Sequence, residues 1–190
     1  MTVQRFAQLP LLMVAYHVPA SAHTDYYALQ ALRNVLLTGQ SSRLYQRLVD
    51  RGQLAISVEG GAELALDPTL FVITIQPKEG VALAVLEQAL DEELDRLRAQ
   101  GVTPRELEKA KNALLADHYQ QLKTINGQAQ ALGNYEVFFG DHRKLFQAPD
   151  EYGRLTVADL HRVAARCFVP RNRTVATLLP QKEESEGGKP

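Results

Sequence analysis

The sequence predicts an α+β fold, an antiparallel β-sheet with amphipathic helices packed on one face. Strand-like and helix-like runs follow in the order strand, two helices, two strands, three or so helices and a strand. That order lacks the regular strand–helix–strand beat of a doubly wound fold. The helical runs are apolar on one side only, so each has a single face to bury. With 190 residues, 45% of them apolar, the chain can build one substantial core.

Leu11 to Val18 is a short apolar run closed by Pro19 and reads as a buried strand. Thr24 or Asp25 can cap a helix whose stripe is Tyr26, Leu29, Leu32, Val35 and Leu36, ending at Gly39. Ser41 and Ser42 then open a second, short helix carrying Leu44, Tyr45, Leu48 and Val49. Gly after one helix and Ser before the next are the stop and start signals of a tight corner. A loop through Gly52 delivers the strand Leu54 to Val58, which continues past Gly60 and Gly61 toward Leu64. Paired glycines in a strand pattern signal a bulge or a close backbone approach. After an Asp67-Pro68 turn, Leu70 to Ile75 is a β-branched strand stopped by Pro77, antiparallel to the preceding one.

Glu79 to Gln100 is the clearest helix, with Val81, Val85, Leu86, Ala89, Leu90, Leu94 and Leu97 on one side and Gly101 at its end. Thr103-Pro104-Arg105-Glu106 is a capping box with proline at the first helical position. It opens a helix through Leu107, Ala110, Leu114 and Leu115 to about Leu122. Further helices are expected over Gln128 to Phe139 and, started by Thr156 and Asp159, over Val157 to Phe168, before Pro170. Arg173 to Leu179 is the last strand. Residues 1–180 are thus read as a single α+β domain. The stretch 181–190, charged and glycine-rich, is read as a disordered tail or linker remnant. Both ends suggest a piece of a longer precursor, so the absence of a signal-peptide layout in Met1 to Leu9 says little.

Composition narrows the function. Lys and Arg number 21 against 22 Asp and Glu, giving a net charge of −1 and no footprint for nucleic acid or anionic lipid. The longest apolar runs are strand-length, so no transmembrane segment is expected. Cys167 alone permits neither an internal disulfide nor a multi-cysteine metal site, and it reads as a buried small hydrophobe. It is compatible with either redox compartment. Of the histidines His17, His23, His118, His142 and His161, no two stand four apart, and they read as scattered surface or strand-end residues.

Ser41, Ser42 and Ser57 have no His or Asp at motif spacing, and Ser41 and Ser42 are better explained as helix caps. Gly60-Gly61 lacks the spacing of a phosphate-binding loop. Asp91-Glu92-Glu93 and Glu106/Glu108 are placed on solvated helix faces, and Tyr135, Phe138 and Phe139 in a core stripe. No catalytic residue and no metal ligand is assigned in this chain.

The run Gly39 to Glu59, above all Ser42-Arg43-Leu44-Tyr45 and Leu54-Ala55-Ile56-Ser57-Val58, resembles a segment of the pitrilysin/insulinase family of zinc metallopeptidases. In particular it is similar to the C-terminal, metal-free half-domain. Pro10-Leu11-Leu12 through Pro19, Asp25 to Leu29, and Val102 to Asn112 follow the family in the right order, so the resemblance covers Arg5 to Pro180. It implies a processing-peptidase-like half-barrel sheet with helices on its convex side.

The family binds zinc through His-x-x-Glu-His, which is absent here, so this chain alone is expected to be inactive. Zinc is expected in a partner half, in cis or in trans, with which this half encloses a chamber for a peptide substrate. The rival reading is a non-proteolytic scaffold or interaction subunit of the same fold. The family also uses an Arg and a Tyr, seven residues apart, to polarise the substrate carbonyl. Laying the motif on this chain places Val49 and Ile56 there. Neither can donate a hydrogen bond, so the role does not carry over, and both read as core or groove-wall packing. Nearby Arg47, Arg51 and Tyr45 are not promoted to replacements, because helical spacing turns Arg47 away from the face of Val49.

Overall fold

The computed structural model describes residues 2–5 and 9–180, of which 2–5 are described as backbone only. The strands are β1 (Thr2–Arg5), β2 (Leu11–Val18), β3 (Ala55–Ala62), β4 (Thr69–Pro77) and β5 (Arg173–Pro180). They form one sheet in the order β1-β5-β2-β4-β3. Pairing is antiparallel from β5 through β2 and β4 to β3, as the sequence predicts. The fifth strand was not foreseen: β1 lies parallel to β5, pairing Thr2 with Thr177. A run this short carries too few side chains for a periodic signal, and its partner lies at the far end of the chain.

The helices are α1 (Tyr26–Leu37), α2 (Leu83–Gln100), α3 (Pro104–Gln121), α4 (Ile125–Phe139), α5 (Lys144–Arg154) and α6 (Val157–Cys167). Strand alternation shows which face they cover. In β2, Leu12, Val14, Tyr16 and Val18 are buried while Met13 and His17 point the other way and are exposed. In β4, Phe71, Ile73 and Ile75 join the buried side. Leu32, Leu36, Leu86, Leu90, Leu94, Leu160 and Val163 close over them from α1, α2 and α6. At the end of α6 the Phe168 ring meets Tyr16 and Phe71 edge-on, with centroids 5.3 and 5.1 Å away.

Several boundaries differ from expectation. The long helix starts at Leu83, four residues late, because Gly80 turns at φ +78° and Ala82 is still extended. Among its expected apolar positions, Val85 is exposed. Helix α4 starts early, at Ile125, capped by Thr124 Oγ1 accepting from the Gly127 N–H at 3.0 Å. The capping box read at Thr103/Glu106 forms, and the helix start read at Thr156 and Asp159 is a second one.

Helix α5 was not anticipated. Its sequence contains Pro149 and few apolar residues, but Leu145, Ala148 and Tyr152 face inward together. Tyr152 meets Tyr27 edge-on at 5.1 Å, so this helix is specified by what it packs against. Asp25 precedes α1 but its carboxylate does not cap it. Only 1% exposed, Asp25 accepts instead from Arg162 at 2.7 Å and Arg166 at 3.4 Å, which ties α1 to α6.

Gly60 and Gly61 turn out to mark a close approach. A Cβ on Gly60 would lie 1.9 Å from the Val72 carbonyl oxygen, and one on Gly61 would lie 2.6 Å from Arg33 Cδ. The register slip in β3 falls elsewhere, between Ala55 and Ser57. The tail expected over 181–190 lies outside the described residues.

Candidate functional site

The corner from Gly39 to Leu54 sits where α1, α2, α3 and β3 meet. Gly39, at φ +77°, lets the chain leave α1. Tyr45–Asp50 then winds as a π-helical segment, anchored by Leu44 and Leu48, both fully buried. Gln53, at φ +50°, closes the loop by donating from Nε2 to the carbonyls of Val49 (3.0 Å) and Asp50 (2.6 Å). Ser41 and Ser42 do not cap this turn. Ser41 Oγ accepts from Lys109 Nζ, and Ser42 Oγ is buried with no partner among the described residues.

Arg43 is the central side chain of the corner. It donates from Nε to Glu106 Oε1 at 2.6 Å, from Nη2 to Glu106 Oε2 at 2.8 Å, and from Nη2 to the Gly101 carbonyl at 3.0 Å. Burial alone would raise the Glu106 carboxyl, but hydrogen bonds from Arg43 and from the Thr103 backbone and hydroxyl hold it down at about 2.

Glu93 corrects the expectation of a solvated face: it is 4% exposed, between Arg96 (2.7 Å) and Arg43 (3.7 Å). Burial pushes its carboxyl up, against the pull of Arg96 and Arg43. Glu93 stands three after Leu90 and four before Leu97, so the spacing puts it at the stripe, but the Arg43 that meets it there comes from a distant segment. Glu92 and Asp91 face outward and pair with Arg47 and Arg173.

Val49 is half-buried against the core, in keeping with packing. Ile56 is not core: it lies within the register slip of β3 and is 51% exposed. Arg47 does turn from Val49, toward Glu92 on α2.

The histidines lie apart. His23 Nδ1 accepts from the Asp25 N–H, His142 Nδ1 meets Glu136 at 2.9 Å, and His161 Nε2 donates to the Arg98 carbonyl at 2.8 Å. Burial lowers His118, and His17 lies on the open sheet face. Among the described residues, no three His, Cys, Asp or Glu side chains gather as a metal site. Tyr135 stacks on buried Phe139, which meets Tyr26 edge-on, so the aromatic stripe packs α4 against α1. Cys167 is buried as expected, and burial raises its thiol.

The chain belongs to the family described as the Peptidase M16 inactive domain, which it matches over residues 3–114. Zinc protease PqqE of Helicobacter pylori is 30% identical over 88% of this chain and 37% of its own length. A zinc protease of Bacillus subtilis, YmxG, is 28% identical over 77% of this chain and 36% of its own length. A crystal structure of a protease from H. pylori superposes with a TM-score of 0.87 at 28% identity, covering 94% of this chain and 43% of that one. An inactive peptidase domain from Bordetella parapertussis matches 98% of this chain and 99% of its own, at 27% identity and a TM-score of 0.85. The chain therefore spans little more than a third of the curated relatives it matches. Among the described residues, no helix is long and apolar enough to cross a membrane.

Proposed function

We propose that this chain is the non-catalytic half of a two-part zinc metallopeptidase and forms one wall of a chamber in which a peptide is cut. Zinc and the water-activating carboxylate come from a partner half, on the same polypeptide or another. The observation that carries the reading is the uncovered face of the sheet. Met13 and Leu70 are 38% and 40% exposed there, with Leu11, Val72 and Ala176 beside them and, among the described residues, no helix over them. This open face, apolar at Met13, Leu70 and Val72 and polar at His17, Thr74 and Glu59, favours contact with another molecule. Val49 and Ile56 offer no donor to a substrate carbonyl, so this half contributes shape and apolar surface, and polarisation rests with the partner.

The test is reconstitution. The chain is mixed with a His-x-x-Glu-His-bearing half from the same genome, and bound zinc and peptide cleavage are measured for each alone and together. Cleavage that requires both, with zinc held by the partner, is the expected outcome. Stoichiometric zinc on this chain together with unaided cleavage would end the proposal. A stable complex without cleavage would favour the scaffold reading.

A further inference from the structure

We infer that the hollow between the Tyr45–Asp50 turn and α2 is an oxyanion site that takes a carboxylate or a phosphate. It encloses about 520 Å³ and is lined by Arg43, Arg47, Arg51 and Arg96, with Glu93 and Glu106. Counting charge decides its character. Glu106 is taken by Arg43, Glu93 by Arg96 and Arg43, and Glu92 outside the hollow by Arg47.

Four guanidinium groups therefore meet three carboxylates. Arg51 is the surplus: it is exposed and lines the hollow, its backbone N–H bonds the Gln46 carbonyl, and its guanidinium makes no hydrogen bond or ion pair among the described residues. Arg43, Arg47 and Arg51 recur every four residues and line the hollow from the side of the turn, and Arg96 lines it from α2.

Planar guanidinium forks match the paired oxygens of a carboxylate or phosphate, and a cation already fixed by a neighbouring carboxylate loses less freedom on binding. A balanced net charge over the whole chain conceals this local excess. The inference does not depend on the chamber reading, because the hollow lies among the helices, away from the open sheet face.

The experiment titrates the 190-residue chain at fixed ionic strength with sodium phosphate, with a short neutral peptide bearing a free C-terminal carboxylate, and with the amide of that peptide. Calorimetry reads the binding. Saturable binding of phosphate or of the carboxylate peptide is expected. Arg51→Ala should weaken it roughly tenfold, and Arg154→Ala, far from the hollow, should leave it unchanged. Arg51 has no partner to lose, so thermal unfolding of Arg51→Ala should match the parent. Phosphate binding alone identifies a free oxyanion. Carboxylate binding that the amide lacks identifies a peptide terminus. No saturable binding by either anion, or equal binding by parent and Arg51→Ala, overturns the inference.

Discussion

Arg43 and Glu106 are joined by two parallel hydrogen bonds, 2.6 and 2.8 Å long, across 63 positions of sequence. They belong to the two segments that carry the family resemblance most specifically, the Ser42-Arg43-Leu44-Tyr45 corner and the helix start at Thr103. The pair fixes the corner onto the N-terminus of α3, where Glu106 also completes the capping box.

That pair makes stability acid-sensitive in a defined direction. The Glu106 carboxyl sits at about 2 in the folded chain, against an ordinary value of 4.5. A depressed carboxyl stabilises above the unfolded value, and the gain is lost as pH falls through the folded one. Urea unfolding at pH 7 should therefore find Glu106→Gln less stable by about 2 kcal/mol. The difference should close between about pH 4.5 and pH 2. A gap that persists unchanged at pH 2 would assign the loss to something other than ionisation.

Gly60 should not tolerate a side chain. The Cβ of Gly60→Ala would meet the Val72 carbonyl oxygen at 1.9 Å, at a backbone φ of +149°. We expect a loss of at least about 2 kcal/mol in chemical denaturation. Gly133 in α4 has nothing within 4 Å of an added Cβ, so Gly133→Ala should instead stabilise by about 0.5–1 kcal/mol. Equal effects at the two positions would contradict the strand packing described for β3 and β4.

Phe168 closes the core between Tyr16 and Phe71, so Phe168→Ala should cost about 3–5 kcal/mol. Phe146 is largely exposed on α5, and Phe146→Ala should stay within about 0.5 kcal/mol of the parent. The two melting curves decide this directly.

Cys167 is 3% exposed, and burial raises its thiol, so little thiolate forms at neutral pH. A thiol-reactive dye should label it slowly in native buffer and fully in denaturant. Labelling at the rate of a free thiol in native buffer would show that the end of α6 opens readily.

The sequence by itself determined the α+β class, β2 to β5 within a few residues, the capping box at Thr103 and the helix start at Thr156. It also placed the helix–corner–strand unit around Ser42. Those features rest on short-range signals: period-2 and period-3.6 apolar patterns, and caps spaced three residues apart. The motif leads to the expectation that Val49 and Ile56 stand at the family's Arg and Tyr positions, but it carries no sign that Ile56 is exposed in a register slip. Only the tertiary structure decided that Glu93 is buried, that Asp25 binds two arginines of α6 instead of capping α1, that α5 forms despite Pro149, and that β1 joins β5 in parallel. The same holds for the four arginines around one hollow. Each of these depends on a partner far along the chain, and a charge or a proline acquires its energetic meaning only from what packing brings against it.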